Sequence, residues 1–184
     1  MIRWLGRLVL KLGGWTAVGD IPEEPKALFI AAPHTTYPDA LWALAYIATI
    51  GLKARFFAKH EAFFFPIGNI LRAFGGIELD RDKPGSAVQQ AIRMYEENET
   101  FYFGLAPEGT RKKTAGWKSG FYRIAIGAGV PVYLGFLDYG RKRLGIGPKV
   151  ELTGDVEADM ATIREFYQDI EGRWPEKASP IKLL

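Results

Sequence analysis

His34 and Asp39 stand five positions apart in "APHTTYPDALW", residues 32–42. The histidine ends an apolar run and the aspartate follows a turn later. A neutral imidazole takes up a proton near pH 7, which few side chains do unaided. Across a loop-to-helix junction the chain can fold back so that the carboxylate meets the ring. It then fixes the tautomer and stabilises the imidazolium. The same pair also fits a structural hydrogen bond or a helix cap. The chain has no cysteine, so thiol catalysis, disulfides and Cys-based zinc sites are excluded. "WKSGF" lacks the first glycine of a serine nucleophile elbow and the strand before it. A base at His34 therefore serves a hydroxyl on a substrate rather than one on the enzyme. His60 has no such setting and reads as a surface histidine. Two histidines without H-x-x-x-H spacing do not suggest a metal site, and none is expected.

"PEGTR", residues 107–111, is the second cluster. Arg111 offers a planar fork of donors that fits a phosphate. Gly109 lets the backbone approach a ligand closely. Lys112, Lys113, Lys118 and Arg123 follow, with no acid between Arg111 and Arg123, so an anion is attracted there. Lys112 and Lys113 suit a solvated rim equally well. Glu108 does not fit that description, because it stands against the basic cluster directly after an apolar stretch.

Both clusters leave apolar segments that read as strands, "KALFIAA" (26–32) and "TFYFGLA" (100–106). Pro38 suits the first turn of a helix that continues through the apolar run to Leu52. "KARFFAK" (53–59) and "GIELDR" (76–81) read as strands, and "EAFFFPIGNILRAFGG" as an apolar segment broken by Pro66 and Gly68. Val88, Ala91, Ile92 and Tyr95 have helical spacing. A helix over about 119–128, the strand "VPVYLGFLDY" and a basic hairpin tip "GRKRLGIG" before "KVEL" follow. Val156, Met160, Ile163, Tyr167, Ile170 and Trp174 form the stripe of a last helix. Alternating strands and helices give a single α/β layered domain over 1–184, with a mostly parallel or mixed sheet flanked by helices. In such folds ligands gather at the carboxyl ends of strands, where both clusters lie.

Charge is divided unevenly. Residues 1–150 carry 20 basic and 13 acidic side chains, and residues 151–184 carry 4 and 8. A basic body suits an anionic partner. No recognised nucleic-acid motif is present, and no nucleic-acid partner is expected. No apolar run reaches 18 residues, so none spans a bilayer. The opening "MIRWLGRLVLKLGGWTAV" lacks a convincing cleavage site, and Lys11 interrupts its apolar part. Arg3, Arg7 and Lys11 instead form one basic stripe, with Ile2, Leu5, Leu8, Val9, Leu12 and two tryptophans around it. Residues 1–18 are thus a candidate membrane-interface helix, although a first helix packed on the core has the same pattern. The expected location is cytoplasmic, peripheral to the inner face of a membrane.

H-x-x-x-x-D, followed about seventy residues later by P-E-G-T-R, resembles the glycerolipid acyltransferase family, which includes the 1-acylglycerol-3-phosphate acyltransferases. "GGIELDR", ending at Arg81, resembles the family's second block and "VPV" (130–132) its fourth. The resemblance implies His34 as general base for an acceptor hydroxyl, with Asp39 as its partner. It implies that Arg81, Glu108, Gly109, Thr110 and Arg111 shape the acceptor pocket, and Lys118 joins them from the basic run. It also implies a fatty acyl thioester as donor, on coenzyme A or acyl carrier protein, with no other cofactor, and a lysophospholipid or related glycerolipid as acceptor. Ala106 before Pro-Glu-Gly and the missing second proline after "VPV" depart from the family pattern and leave the acceptor open. An amine or sugar lipid is the alternative acceptor. A non-catalytic peripheral lipid-binding protein is the alternative function.

Overall fold

Along the segment 26–32, Leu28, Ile30 and Ala32 alternate with Ala27 and Phe29, and the two sets enter separate cores on opposite faces of a sheet. A strand with both faces covered reads as the continuous apolar run that the sequence shows here. The structure, a computed structural model, describes residues 2–58, 60–78 and 86–184. Among these, one sheet holds β1 (Thr16–Val18), β2 (Lys26–Ala32), β3 (Ala54–Ala58), β4 (Gly76–Glu78), β5 (Phe101–Leu105), β6 (Val132–Asp138) and β7 (Arg143–Val150). The strand order is β1-β7-β6-β2-β5-β3-β4. β2 to β6 run parallel, β7 returns antiparallel to β6, and β1 lies parallel to β7. The helices are α1 (Ile2–Leu12), α2 (Pro38–Ile50), α3 (Ile67–Ala73), α4 (Ser86–Glu97), α5 (Gly120–Ala128) and α6 (Val156–Tyr167). This is the expected α/β layering with a mostly parallel sheet.

One core joins α4, α5 and α6 to the sheet through Ala91, Tyr95, Phe121, Ile124, Met160 and Ile163. The other joins α1 and α2 through Leu10, Ala45 and Tyr46. α1 lies close on α2, because a Cβ added at Gly6 would stand 2.5 Å from the Ala45 carbonyl oxygen. The opposite side of α1 exposes Trp4, Leu5, Leu8 and Leu12 beside Arg3, Arg7 and Lys11. No helix among the described residues is long and apolar enough to cross a membrane.

Three boundaries differ from expectation. The N-terminal helix ends at Leu12, and Thr16–Val18 is strand β1 rather than a continuation of it. The hairpin tip is only residues 139–142, since β7 begins at Arg143 and buries Leu144 and Ile146 in the α1–α2 core. Glycines and cations there resemble a turn, but alternate residues still face inward. The last helix ends at Tyr167. Ile170 nevertheless packs against the core, and Trp174 donates its backbone N–H to Thr35 Oγ1 (3.3 Å). Apolar spacing persists past the helix end because the extended tail is also packed. That tail continues under the segment after Thr110, where Trp117 N–H donates to the Lys182 carbonyl (2.7 Å).

Candidate active site

The connections out of the central strands decide where a crevice opens. β2 leads through α2 to β3, whereas its neighbour β5 leads through α5 to β6. The two helices lie on opposite faces, so the chain diverges between the carboxyl ends of β2 and β5, the place where such sheets bind ligands. Register brings the motifs together. Ile30 lies opposite Leu105, so His34 and Glu108 emerge side by side. On the other flank Ala32 pairs with Phe136, which brings Tyr139 level with the same loop.

His34 Nδ1 lies 3.2 Å from Asp39 Oδ2, with the aspartate buried and the histidine side chain 21% exposed. A carboxylate only accepts, so Nδ1 carries the proton and Nε2 is the basic nitrogen. Asp39 sits in the first turn of α2, where the helix dipole favours an anion. It is not a helix cap. Its Oδ2 accepts the N–H groups of Thr35 and Thr36, both at 2.9 Å, and its Oδ1 accepts the Tyr139 hydroxyl at 2.6 Å. Burial works against the charge, but the bonds from His34, Tyr139 and Thr36 outweigh it and hold Asp39 below the ordinary carboxylate range. Tyr139 is shifted the opposite way by burial and by the same bond, which keeps it a neutral donor.

Glu108 is 3% exposed, and both of its oxygens accept the His34 backbone N–H, at 3.1 and 3.0 Å. The PEGTR turn thus grips the loop that carries the histidine. Burial pushes the Glu108 carboxyl up to about 7; the His34 N–H bond and the His34 charge pull it down, while the Asp39 charge adds to the rise. Gly109 has φ +64°, a left-handed conformation that favours glycine, and a Cβ there would stand 2.9 Å from the Lys118 side chain. Arg111 stacks on Tyr37 with its guanidinium carbon 3.7 Å from the ring centre. Thr110 Oγ1 accepts the Lys112 N–H (3.3 Å), and Lys118 N–H donates to the Pro107 carbonyl (2.9 Å).

His34, Asp39, Glu108, Gly109, Thr110, Arg111 and Lys118 therefore gather at one end of the sheet, while Arg81 lies outside the described residues. His60 is exposed and pairs with Glu78. Tyr139 and Tyr37 were not singled out from sequence. Tyr139 had a usable signal, because it is the last residue of the segment read as the strand "VPVYLGFLDY" and so marks a third strand exit beside the other two.

No significant match was found among curated protein sequences. By structure, the chain is similar to the 1-acyl-sn-glycerophosphate acyltransferase PlsC from Thermotoga maritima. The TM-score is 0.63 at 20% identity, over 94% of this chain and 79% of that one. The family profile described as Acyltransferase matches residues 17–133, well over half of the chain and the part that holds both motifs. The chain belongs to the acyltransferase family.

Proposed function

We propose that this acyltransferase moves a fatty acyl group from a thioester of coenzyme A or acyl carrier protein to a hydroxyl of a lysophospholipid-type acceptor. The observation that carries this reading is the ring of His34 held at Nδ1 by a buried, fully hydrogen-bonded carboxylate, which leaves Nε2 to act as base. Nε2 takes the proton of the acceptor hydroxyl as its oxygen attacks the thioester carbonyl carbon. The tetrahedral intermediate then expels the thiolate, which receives that proton from the imidazolium, giving an ester and a free thiol. Base catalysis of this kind is typically worth ~10²–10⁴-fold. Arg111 is the group that grips the acceptor phosphate, and its stacking on Tyr37 supports the role by holding the fork in place. Glu108 shapes the pocket from beneath by holding the His34 backbone.

The reading includes attachment to a membrane surface. The exposed apolar stripe of α1 beside three cations supports it, as does the exposure of Phe64 (58%) and Phe65 (83%) just after the carboxyl end of β3. Such a surface lets an acyl chain pass from the bilayer edge to His34.

Free-thiol release from acyl-CoA, measured on vesicles with a panel of acceptors, tests the reading. The panel pairs a lysophospholipid carrying a terminal phosphate with its dephosphorylated form, an amine lipid and a sugar lipid. Turnover should require a hydroxyl, favour the phosphate and vanish in His34→Ala. Turnover with only the amine or sugar lipid would reassign the acceptor. Release with none of them, or equal release by His34→Ala, would refute the enzyme.

A further inference from the structure

Tyr139 directly follows β6 and belongs to neither motif. Its hydroxyl donates to Asp39 Oδ1 at 2.6 Å. The other oxygen, Oδ2, receives His34 Nδ1 and two backbone N–H groups. Without Tyr139, the buried carboxylate would keep all its donors on one oxygen and have none on the other, which is costly for a charge away from water. The tyrosine ring is fixed by contacts that do not involve this bond. Trp15 meets it edge-on with ring centres 4.8 Å apart, and the Tyr139 backbone N–H donates to the Glu171 carbonyl at 2.8 Å. A rigid donor therefore approaches the aspartate from the strand opposite the PEGTR side.

We infer that Tyr139 is a positioning residue for the acyl transfer: its hydroxyl holds the Asp39 carboxylate in the orientation that presents Oδ2 to His34 Nδ1. The inference rests on the reading of His34 as base. Tyr139 touches neither donor nor acceptor in this account and acts only through Asp39.

The charged surroundings are few. His34 and Glu108 face Asp39, while Arg173 and Lys142 face Tyr139. Removing the hydroxyl leaves all of these in place. Asp39 with one donor fewer binds a proton more strongly, so the His34–Asp39 couple stays protonated to higher pH. The acid limb of kcat/KM must then move upward.

Tyr139→Phe keeps the ring on Trp15 and removes only the donor. Its kcat should fall about tenfold and its acceptor KM should stay within about twofold, as expected for loss of one hydrogen bond to a charged group. The acid limb should rise by roughly half a pH unit or more. The downfield proton resonance of His34 Nδ1–H, assigned by its absence in His34→Ala, should shift or vanish. Tyr139→Leu, which also empties the space against Trp15, should lower Tm further than Tyr139→Phe, which loses only the one hydrogen bond.

Unchanged kcat, limb and resonance in Tyr139→Phe would overturn the inference. So would an equal fall of kcat/KM at every pH with the resonance unmoved, because that is a merely structural effect. The two readings fail differently. An active His34→Ala sinks the catalytic base, whereas an inactive His34→Ala beside a wild-type-like Tyr139→Phe sinks only the role of Tyr139.

Discussion

Asp39→Asn separates the charge of the site from its shape. The carboxylate accepts four donors, namely His34 Nδ1, the N–H groups of Thr35 and Thr36, and the Tyr139 hydroxyl. In the amide, the oxygen keeps the two backbone N–H groups, whose positions are fixed, and the NH2 group turns to Tyr139, whose hydroxyl rotates to accept. The loop should survive this exchange, and the buried charge disappears along with its desolvation cost. What is lost is the counter-charge at the moment the imidazolium forms. Unit charges about 4 Å apart attract by about 4 kcal/mol at an effective dielectric near 20. At about 1.4 kcal/mol per decade, kcat should fall roughly 10³-fold. Asp39→Ala is the contrast, because it strands the backbone and tyrosine donors without a partner and should cost about 3–5 kcal/mol of stability. The assay is thiol release at saturating substrates, with thermal melting of the three proteins side by side. If Asp39→Asn melts like wild type and keeps kcat within about fivefold, the charge of Asp39 does not assist the base. If it melts as low as Asp39→Ala, the geometry of the amide exchange has been misjudged.

Three further outcomes follow from other contacts. In Glu108 the folded-state carboxyl is raised to about 7 against an ordinary 4.5. Its contribution is therefore complete below the ordinary value and is lost as pH rises toward 7, by about 3 kcal/mol at most. Glu108→Gln should flatten the decline of Tm between about pH 4.5 and 7, and an identical slope in both proteins would contradict the buried, protonated carboxyl. Tyr37→Ala removes the platform under Arg111 and should raise the acceptor KM about two- to fivefold, as expected for an exposed cation–π contact, while Tyr37→Phe should not. Trp4→Ser with Leu8→Ser removes two exposed apolar groups from α1 and should weaken sedimentation with anionic vesicles by tenfold or more, with Tm unchanged. Equal sedimentation would mean that the membrane contact lies elsewhere.

The residues differ in how far their roles could be read from the chain. His34 and Asp39 are close in sequence, and Pro38 announces the helix that turns the aspartate back, so their meeting depends on one loop. The grip of Glu108 on the His34 backbone spans 74 residues. It exists only because β2 and β5 are neighbours in parallel register, a fact fixed by two crossovers of opposite direction. Alternating apolar runs announce the strands but not their order. Glu108 therefore looked like a pocket residue on the strength of its motif, and its burial against a main-chain N–H had no local sign. Tyr139 is harder again, since its partner lies 100 residues away and its own surroundings are a strand end and a basic turn. Where elements failed, they failed for a shared reason. β1, the start of β7 and the tail beyond Tyr167 are short segments stabilised by neighbours rather than by their own periodicity. The parts of this site that sequence hides are thus the ones built by strand adjacency. Substitutions at Glu108 and Tyr139 should consequently disturb the histidine as strongly as many within its own loop, although neither stands near it in the chain.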